Sequence, residues 1–379
     1  MNILIVTAWY PTETNPISGI FIKEIAKALS EYSNVLILHM IEGSPKGFYD
    51  VLEFAEDRFK VVRVRYKRIR GLSFFLYLYL TINITKKIVD EFSPDIVHLH
   101  VYRAGVPALI LKKLFGIPYV ITEHYKLIDE GSSLTRRILN KIKILIASAI
   151  INHSELAILP SKAILRSIES HGIIKETKII PNVVNTKIFN KNRSNKVNNV
   201  KRLLFVGGLE KIKGVEYLLR ALSIVVKNRN DFILDVVGDG PERERYEKIV
   251  KDLKLENHVI FHGLKSKGEV AEFMKRCSFF ILPSLWESQA CVLIEAMACG
   301  KPVIATSSGG PREIVMDFCG ILVPPKDVKA LAEAIDFMLD HFDNFPSKKI
   351  SRYVQSRFGY KKVGKQLYNI YKQIIDKCR

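Results

Sequence analysis

Acidic side chains are scarce beside basic ones in this chain. Across 379 residues, 39 Asp and Glu stand against 58 Lys and Arg, a formal net charge of +19. The imbalance disfavours cationic partners and favours anionic ones such as phosphates, acidic lipid or nucleic acid. Cysteine is sparse as well. Cys277, Cys291, Cys299, Cys319 and Cys378 all fall in the last third, their number is odd, and none forms a C-x-x-C pair. Neither a disulfide framework nor a structural zinc site is expected from them; reduced thiols in a cytosolic core are. Long apolar runs are missing too. The longest, residues 74–84, is broken by Thr81 and Asn83 and is shorter than the ~20 residues of a spanning helix. The chain opens on Asn2-Ile3-Leu4-Ile5-Val6, which reads as a buried strand rather than a signal peptide, so a cytoplasmic location is expected. There is no D-x-D pair to hold a metal, and no zinc-finger spacing or RNA-binding aromatic signature to turn the positive charge toward nucleic acid.

What is present is bulk and alternation. The length suits two domains, and 48% hydrophobic residues suffice for two cores. Apolar strand candidates at residues 3–6, 35–40, 61–64, 96–99, 119–122 and 157–159 alternate with segments of helical period such as 20–29 and 74–89. The stretch 190–199 (NKNRSNKVNN) is polar and aperiodic, and reads as a linker. The alternation then restarts with strands at 203–206, 232–237, 259–261, 279–282, 303–305 and 321–323. Continuous Val/Ile/Leu strands between helices predict parallel sheets covered on both faces, hence two doubly wound α/β domains with ligand loops at the carboxyl ends of the strands. Residues 360–375 carry an amphipathic helical pattern.

The densest chemical signal runs from Pro283-Ser284-Leu285-Trp286-Glu287 to Glu295-Ala296-Met297-Ala298. Glu287 falls in the loop after a strand and Glu295 about one turn into the next helix, so both can face a pocket at the strand ends. A carboxylate accepts two charge-assisted hydrogen bonds and suits paired sugar hydroxyls; two solvated glutamates at a helix start are the plainer alternative. Val206-Gly207-Gly208-Leu209-Glu210-Lys211-Ile212-Lys213-Gly214 joins a strand to a helix with glycines and lysines suited to an anion, without the Gly-Lys-Ser/Thr of a P-loop. Gly238-Asp239-Gly240-Pro241 and Thr306-Ser307-Ser308-Gly309-Gly310-Pro311 are further turns at strand exits, the latter expected to offer free amides. In the first half, Ser18-Gly19 opens a helix, and His98, His100 and His124 end strands, where structural roles are as common as functional ones.

Taken in order, these pieces resemble the retaining glycosyltransferases of the E-x7-E type (group 1, family 4), which have the GT-B fold: α/β, two doubly wound Rossmann-like domains facing across a cleft. The resemblance spans nearly the whole chain. It includes Gly19, Asp95-Ile96-Val97-His98-Leu99-His100, Thr122-Glu123-His124, Pro181-Asn182-Val183-Val184-Asn185, Lys213-Gly214, Gly238 to Glu242 and Glu287 to Ala298. Gly300-Lys301-Pro302-Val303, Gly309-Gly310 and residues 320–325 complete it. It implies an acceptor-binding domain at residues 1–189, a nucleotide-sugar-binding domain at 200–355, and a C-terminal helix at 356–379 returning toward the first. It also implies that Glu295 holds the donor ribose, that Glu287 and the backbone of Ser288, Gln289, Ala290 and Cys291 line the donor sugar, and that Lys213 neutralises the diphosphate. Gly19 would lie near the phosphates, His124 would face the transferred sugar, and Gly238, Gly263, Gly309 and Gly310 would rim the donor, with Gly263 and its neighbours setting base choice. Catalysis would fall to Glu287, Lys213 and His124, with no metal and no cofactor beyond the nucleotide-diphosphate sugar itself.

Two departures stand out. Gly208 occupies a position where many members carry an arginine paired with the lysine, leaving Lys211 as a substitute of unknown direction. Ser288-Gln289-Ala290 replaces the usual Gly-Phe-Gly. The implied activity is transfer of a sugar to a hydroxyl of a glycan or lipid-linked acceptor in surface polysaccharide or glycolipid synthesis. A nucleotide-sugar epimerase or glycan phosphorylase on the same scaffold, or a non-catalytic nucleotide-sugar binder, are the alternatives. Residues 58–89 hold nine Lys/Arg and no acid beside Phe74-Phe75-Leu76-Tyr77, and residues 136–151 repeat the basic-apolar mixture. Peripheral attachment to the anionic inner face of a membrane is expected from these, against the alternative of a core helix with a solvated rim.

Overall fold

The computed structural model describes residues 1–70, 72–125, 134–173, 175–191 and 200–378, with side chains only from residue 140 onward in the helix that begins at Leu134. Most of the expected linker, residues 192–199, lies outside the described residues. The chain forms two units: Met1–Val183 with Tyr360–Arg379, and Val184–Gly359. The division thus falls a few residues before the polar stretch, and the chain crosses back at Gly359.

The first unit is built on strands β1 (Asn2–Thr7), β2 (Asn34–Gly43), β3 (Tyr49–Glu56), β4 (Phe59–Lys67), β5 (Ile96–His100), β6 (Tyr119–Thr122), β7 (Leu156–Leu159) and β8 (Thr177–Ile179). Their order in the sheet is β3-β4-β2-β1-β5-β6-β7-β8. Every pairing is parallel except β3 with β4. The helices are α1 (Ile20–Leu29), α2 (Ser73–Phe92), α3 (Gly105–Phe115), α4 (Leu134–His153) and α5 (Lys162–Glu169). β3 and β8 were not expected. β3 reads Tyr-Asp-Val-Leu-Glu-Phe-Ala-Glu and is largely exposed at the sheet edge, so no buried run marks it, and β8 is three residues long.

The second unit has strands β9 (Lys201–Val206), β10 (Phe232–Val237), β11 (Val259–Phe261), β12 (Phe279–Leu282), β13 (Val303–Thr306) and β14 (Gly320–Val323), all parallel, in the order β11-β10-β9-β12-β13-β14. Between and after them run α6 (Val215–Val225), α7 (Arg243–Asp252), α8 (Lys267–Arg276), α9 (Cys291–Ala298), α10 (Pro311–Ile314), α11 (Val328–His341) and α12 (Ser347–Phe358). This 3-2-1-4-5-6 order reverses direction between β9 and β12, and a doubly wound sheet opens a crevice at such a switch point. The helix α13 (Tyr360–Cys378) then joins the first unit, burying Val363, Leu367, Ile370, Tyr371 and Ile375 in its core.

Candidate active site

The loops leaving β9 and β12 flank the switch point of the second unit, and sequence places a lysine on one and a glutamate on the other. After β9 the chain makes a short 3-10 turn, Lys211–Lys213, closed by Gly214 at φ 67°. A Cβ on Gly214 would lie 2.1 Å from the Pro283 carbonyl oxygen, so the two loops touch through their backbones and only glycine fits. The Leu285 amide donates to the Ile212 carbonyl at 2.8 Å and ties them together. In that frame Lys213 Nζ donates to Glu287 Oε1 at 2.7 Å, and Ser284 Oγ donates to the same oxygen at 2.7 Å. The Glu287 side chain is 10% exposed and that of Lys213 27%.

Glu287 is held from behind by the glycine pair. Gly309 adopts φ 72° with its Cβ position 2.0 Å from the Glu287 carbonyl oxygen, and the Gly310 amide donates to that oxygen at 3.0 Å. The amides of Ser307 and Ser308 are also used inside the protein, by Val323 and Thr306. The expectation of free amides along this turn is therefore corrected for these three residues: the turn braces the glutamate loop. Ala290 starts α9 at φ 63° and ψ 67°, a left-handed conformation glycine adopts more easily, and Ser288, Gln289 and Cys291 complete this bend.

Glu295 sits in the middle of α9, with Lys267 Nζ 3.7 Å from its carboxylate. Lys267 also lies 5.5 Å over the Phe189 ring. Sequence reasoning passed over Lys267; the readable signal was the Ser266–Glu269 capping box that starts α8 and fixes the position. Gly238 (φ 134°) packs its Cβ position 1.9 Å from the Gly207 carbonyl oxygen and its amide donates to Gly263 at 2.9 Å, so the loops after β9, β10 and β11 interlock. Lys211 points away from Glu287: its side chain is 76% exposed and its Nζ is 3.9 Å from Glu242. At Gly208 a Cβ would make only ordinary contacts, the nearest at 3.6 Å with Glu210.

In the first unit, the loop after β1 ends at Gly19, which caps α1 at φ 61° with its Cβ position 2.2 Å from the Trp9 carbonyl oxygen. On the next strands, His98 bonds Thr122 Oγ1 and the Tyr371 hydroxyl, each at 2.7 Å, while His100 Nδ1 and His124 Nε2 are 2.9 Å apart. All three histidines are at most 2% exposed. Burial lowers His98 and His124 to about 3, and burial with neighbouring histidines takes His100 well below its ordinary value. All three are neutral near pH 7. Glu123, buried beside them, is raised to about 8 by desolvation although its Oε1 accepts from the Tyr102 amide at 2.6 Å. Val101 links the ends of β5 and β6 at φ 60° and ψ 137°, a strained conformation for a β-branched residue.

The basic stretch 58–89 divides. Arg63 turns inward to His39 and the Pro11 carbonyl, Arg65 clasps Asp50 through two bonds, and Lys87 meets Glu53. Arg58, Lys60, Lys67, Arg68, Arg70 and Lys86 remain on the surface. Phe74, Phe75 and Tyr79 are 63%, 66% and 60% exposed, so this part of α2 is not a core face. Arg68, Arg70 and Phe74 line one open hollow with Glu42 and Ser73. In the second stretch, the side chains of residues 136–139 lie outside the described residues; Ile142, Leu145 and Ile146 are exposed. Among the described residues no helix is long and apolar enough to cross a membrane, and no group of three or more His, Cys, Asp or Glu is placed to hold a metal ion.

Comparison with known proteins gives the family and the fold. The family model of glycosyl transferases group 1 matches residues 186–353, and that of Glycosyltransferase Family 4 matches residues 19–188. A protein of Methanocaldococcus jannaschii named as a glycosyltransferase is 30% identical over 317 residues, 82% of this chain and 83% of the relative. Sucrose-phosphate synthase from Thermosynechococcus elongatus superposes with a TM-score of 0.81 over 100% of both chains at 23% identity. Anabaena HepE, solved in complex with UDP and glucose, does so with a TM-score of 0.75 over 98% of this chain and 99% of its own at 20% identity. With two Rossmann-like units in the GT-B fold and both halves matched, the chain belongs to the group 1 glycosyltransferases.

Proposed function

We propose that this glycosyltransferase takes a sugar from a nucleotide-diphosphate sugar and transfers it, with retention of anomeric configuration, to a hydroxyl of a glycan or lipid-linked acceptor in surface polysaccharide or glycolipid synthesis. The observation that carries the donor half is the Lys213–Glu287 pair at the switch point of the second sheet, with Glu295 on the helix that follows. In this reading Glu295 receives the ribose hydroxyls, and Glu287 with the bend Ser288–Cys291 receives the sugar. Lys213 stabilises the charge that builds on the diphosphate as the bond from the anomeric carbon to phosphate oxygen breaks. The acceptor oxygen forms the new bond on the same face and its proton passes to the departing phosphate. In this reading no metal is called for, because Lys213 meets the developing charge. Gly19 and His124 belong to the acceptor-side domain. HepE was solved with UDP and glucose, which supports a UDP-sugar as the first donor to try.

The exposed Phe74, Phe75 and Tyr79 beside Arg68 and Arg70 support attachment of the first unit to an anionic membrane surface, taken here as the cytoplasmic face.

Thermal melting with a panel of nucleoside diphosphates and nucleotide sugars tests the donor half. A ligand at about 100 times its dissociation constant stabilises the fold by about 2.7 kcal/mol. One base should raise the wild-type melting temperature and leave Glu295→Ala unmoved. A panel that moves neither protein at saturating concentration rejects the donor site.

A further inference from the structure

His100 and His124 leave a specific pair of atoms unpaired. Both rings are fully buried, lie nearly parallel at 9° and share one hydrogen bond, His100 Nδ1 to His124 Nε2 at 2.9 Å. A neutral imidazole has one N–H and one lone pair. The shared bond uses one of each, so the two outer atoms, His100 Nε2 and His124 Nδ1, are one donor and one acceptor whichever way the bond runs. Neither has a hydrogen-bond partner among the described residues. A phosphate or carboxylate satisfies only the donor and an ammonium only the acceptor. A hydroxyl group satisfies both kinds, and a sugar offers hydroxyls on adjacent carbons.

The surroundings hold this pair still. Phe21 packs on His124 with ring centroids 4.3 Å apart, and His98 packs on His100 at 4.1 Å. The Val101 amide donates to the Thr122 carbonyl at 3.0 Å, tying together the strand ends that carry the two rings. Backbone strain of the kind seen at Val101 persists where the surrounding structure fixes a functional geometry.

We propose that His100 is a positioning residue that fixes the ring orientation of His124 and couples its tautomer to its own, so that the pair always offers one N–H and one lone pair to sugar hydroxyls. This rests on the reading of His124 as a residue that meets the transferred sugar.

Two-bond 1H–15N spectra of the full chain labelled with 15N-histidine test it directly, since the two ring nitrogens of a neutral imidazole report which carries the proton. At pH 7 the two rings of the wild type should show matched tautomers, both protonated at Nδ1 or both at Nε2, in equal proportions. His100→Phe offers neither donor nor acceptor and should change the tautomer balance of His124. If His100→Phe fails to fold, the matched proportions in the wild type still decide. Unmatched proportions in the wild type, or an unchanged His124 balance in His100→Phe, overturn the proposal. The nucleotide sugar that gives the largest melting shift should then move the His124 ring signals in the wild type and less in His100→Phe. If no nucleotide sugar binds, the donor reading fails while the tautomer comparison still decides the role of His100.

Discussion

Ala290 holds a left-handed backbone at the start of α9 where a glycine would sit without strain. Ala290→Gly should raise stability by about 1 kcal/mol, read as a higher urea midpoint with unchanged slope. Gly214→Ala should do the reverse and lose at least 2 kcal/mol in the same measurement, since its Cβ would meet the Pro283 carbonyl oxygen at 2.1 Å at a positive φ. Gly208 differs. Its Cβ position is open, so Gly208→Arg should leave the melting temperature of the free protein within a degree or two while tightening nucleoside diphosphate binding, as a second cation beside Lys213 would. Isothermal titration reads the gain, and unchanged affinity would mean that the guanidinium points elsewhere, as Lys211 does. Glu287, Glu295 and Lys213 were legible in the sequence because their spacing fixes which loop or helix carries them. The direction of Lys211 and the packing of Lys267 were not, because each depends on a neighbour far away in the chain, Glu242 and Glu295 respectively.

Elements show a similar division. Buried parallel strands announce themselves as Val/Ile/Leu runs, whereas the edge strand β3 is charged and exposed and is fixed only by its antiparallel register with β4. The amphipathic pattern of α13 was visible, but the choice of unit rests on contacts: Gly364 approaches the Ala28 carbonyl oxygen so closely that its Cβ position lies 2.5 Å away, and Tyr371 reaches His98. Burying a large apolar side chain stabilises by about 1.5–3 kcal/mol, and α13 buries five. A chain ending at Gly359 should therefore lose the cooperative melting of the first unit, with rapid proteolysis of residues 1–183 as the readout. On α2, the double change Phe74→Ser and Phe75→Ser should weaken co-sedimentation with phosphatidylglycerol vesicles at least several-fold without lowering the melting temperature, because both rings are already exposed. Equal binding by the variant would remove this face from the membrane reading.

At the scale of the whole molecule, the histidines held below their ordinary pKa all lie in the first unit. His39 is lowered to about 4 by burial and by Arg63, His98 and His124 to about 3 by burial, and His100 further. A histidine whose folded pKa lies below the unfolded 6.5 contributes stability that is present above pH 6.5 and lost as pH falls toward the folded value, at about 1.4 kcal/mol per pH unit each. Glu123 acts in the opposite direction: raised to about 8, it contributes stability that is present below about pH 4.3 and lost as pH rises through 8. The first unit should be most stable near pH 6–7 and should unfold on acidification before the second. The chain has two tryptophans, Trp9 in one unit and Trp286 in the other, so Trp9→Phe and Trp286→Phe variants followed by fluorescence report the units separately. Simultaneous acid transitions would refute the assignment. The sequence by itself determined two doubly wound domains and the order of loops and glutamates, because strand alternation and motif spacing are local properties of the chain. Tertiary structure alone decided which lysine meets Glu287, which contacts seat the last helix on the first unit, and that His100 and His124 share a hydrogen bond. Those outcomes depend on which distant strand ends and helix faces pack together, and no local pattern records that.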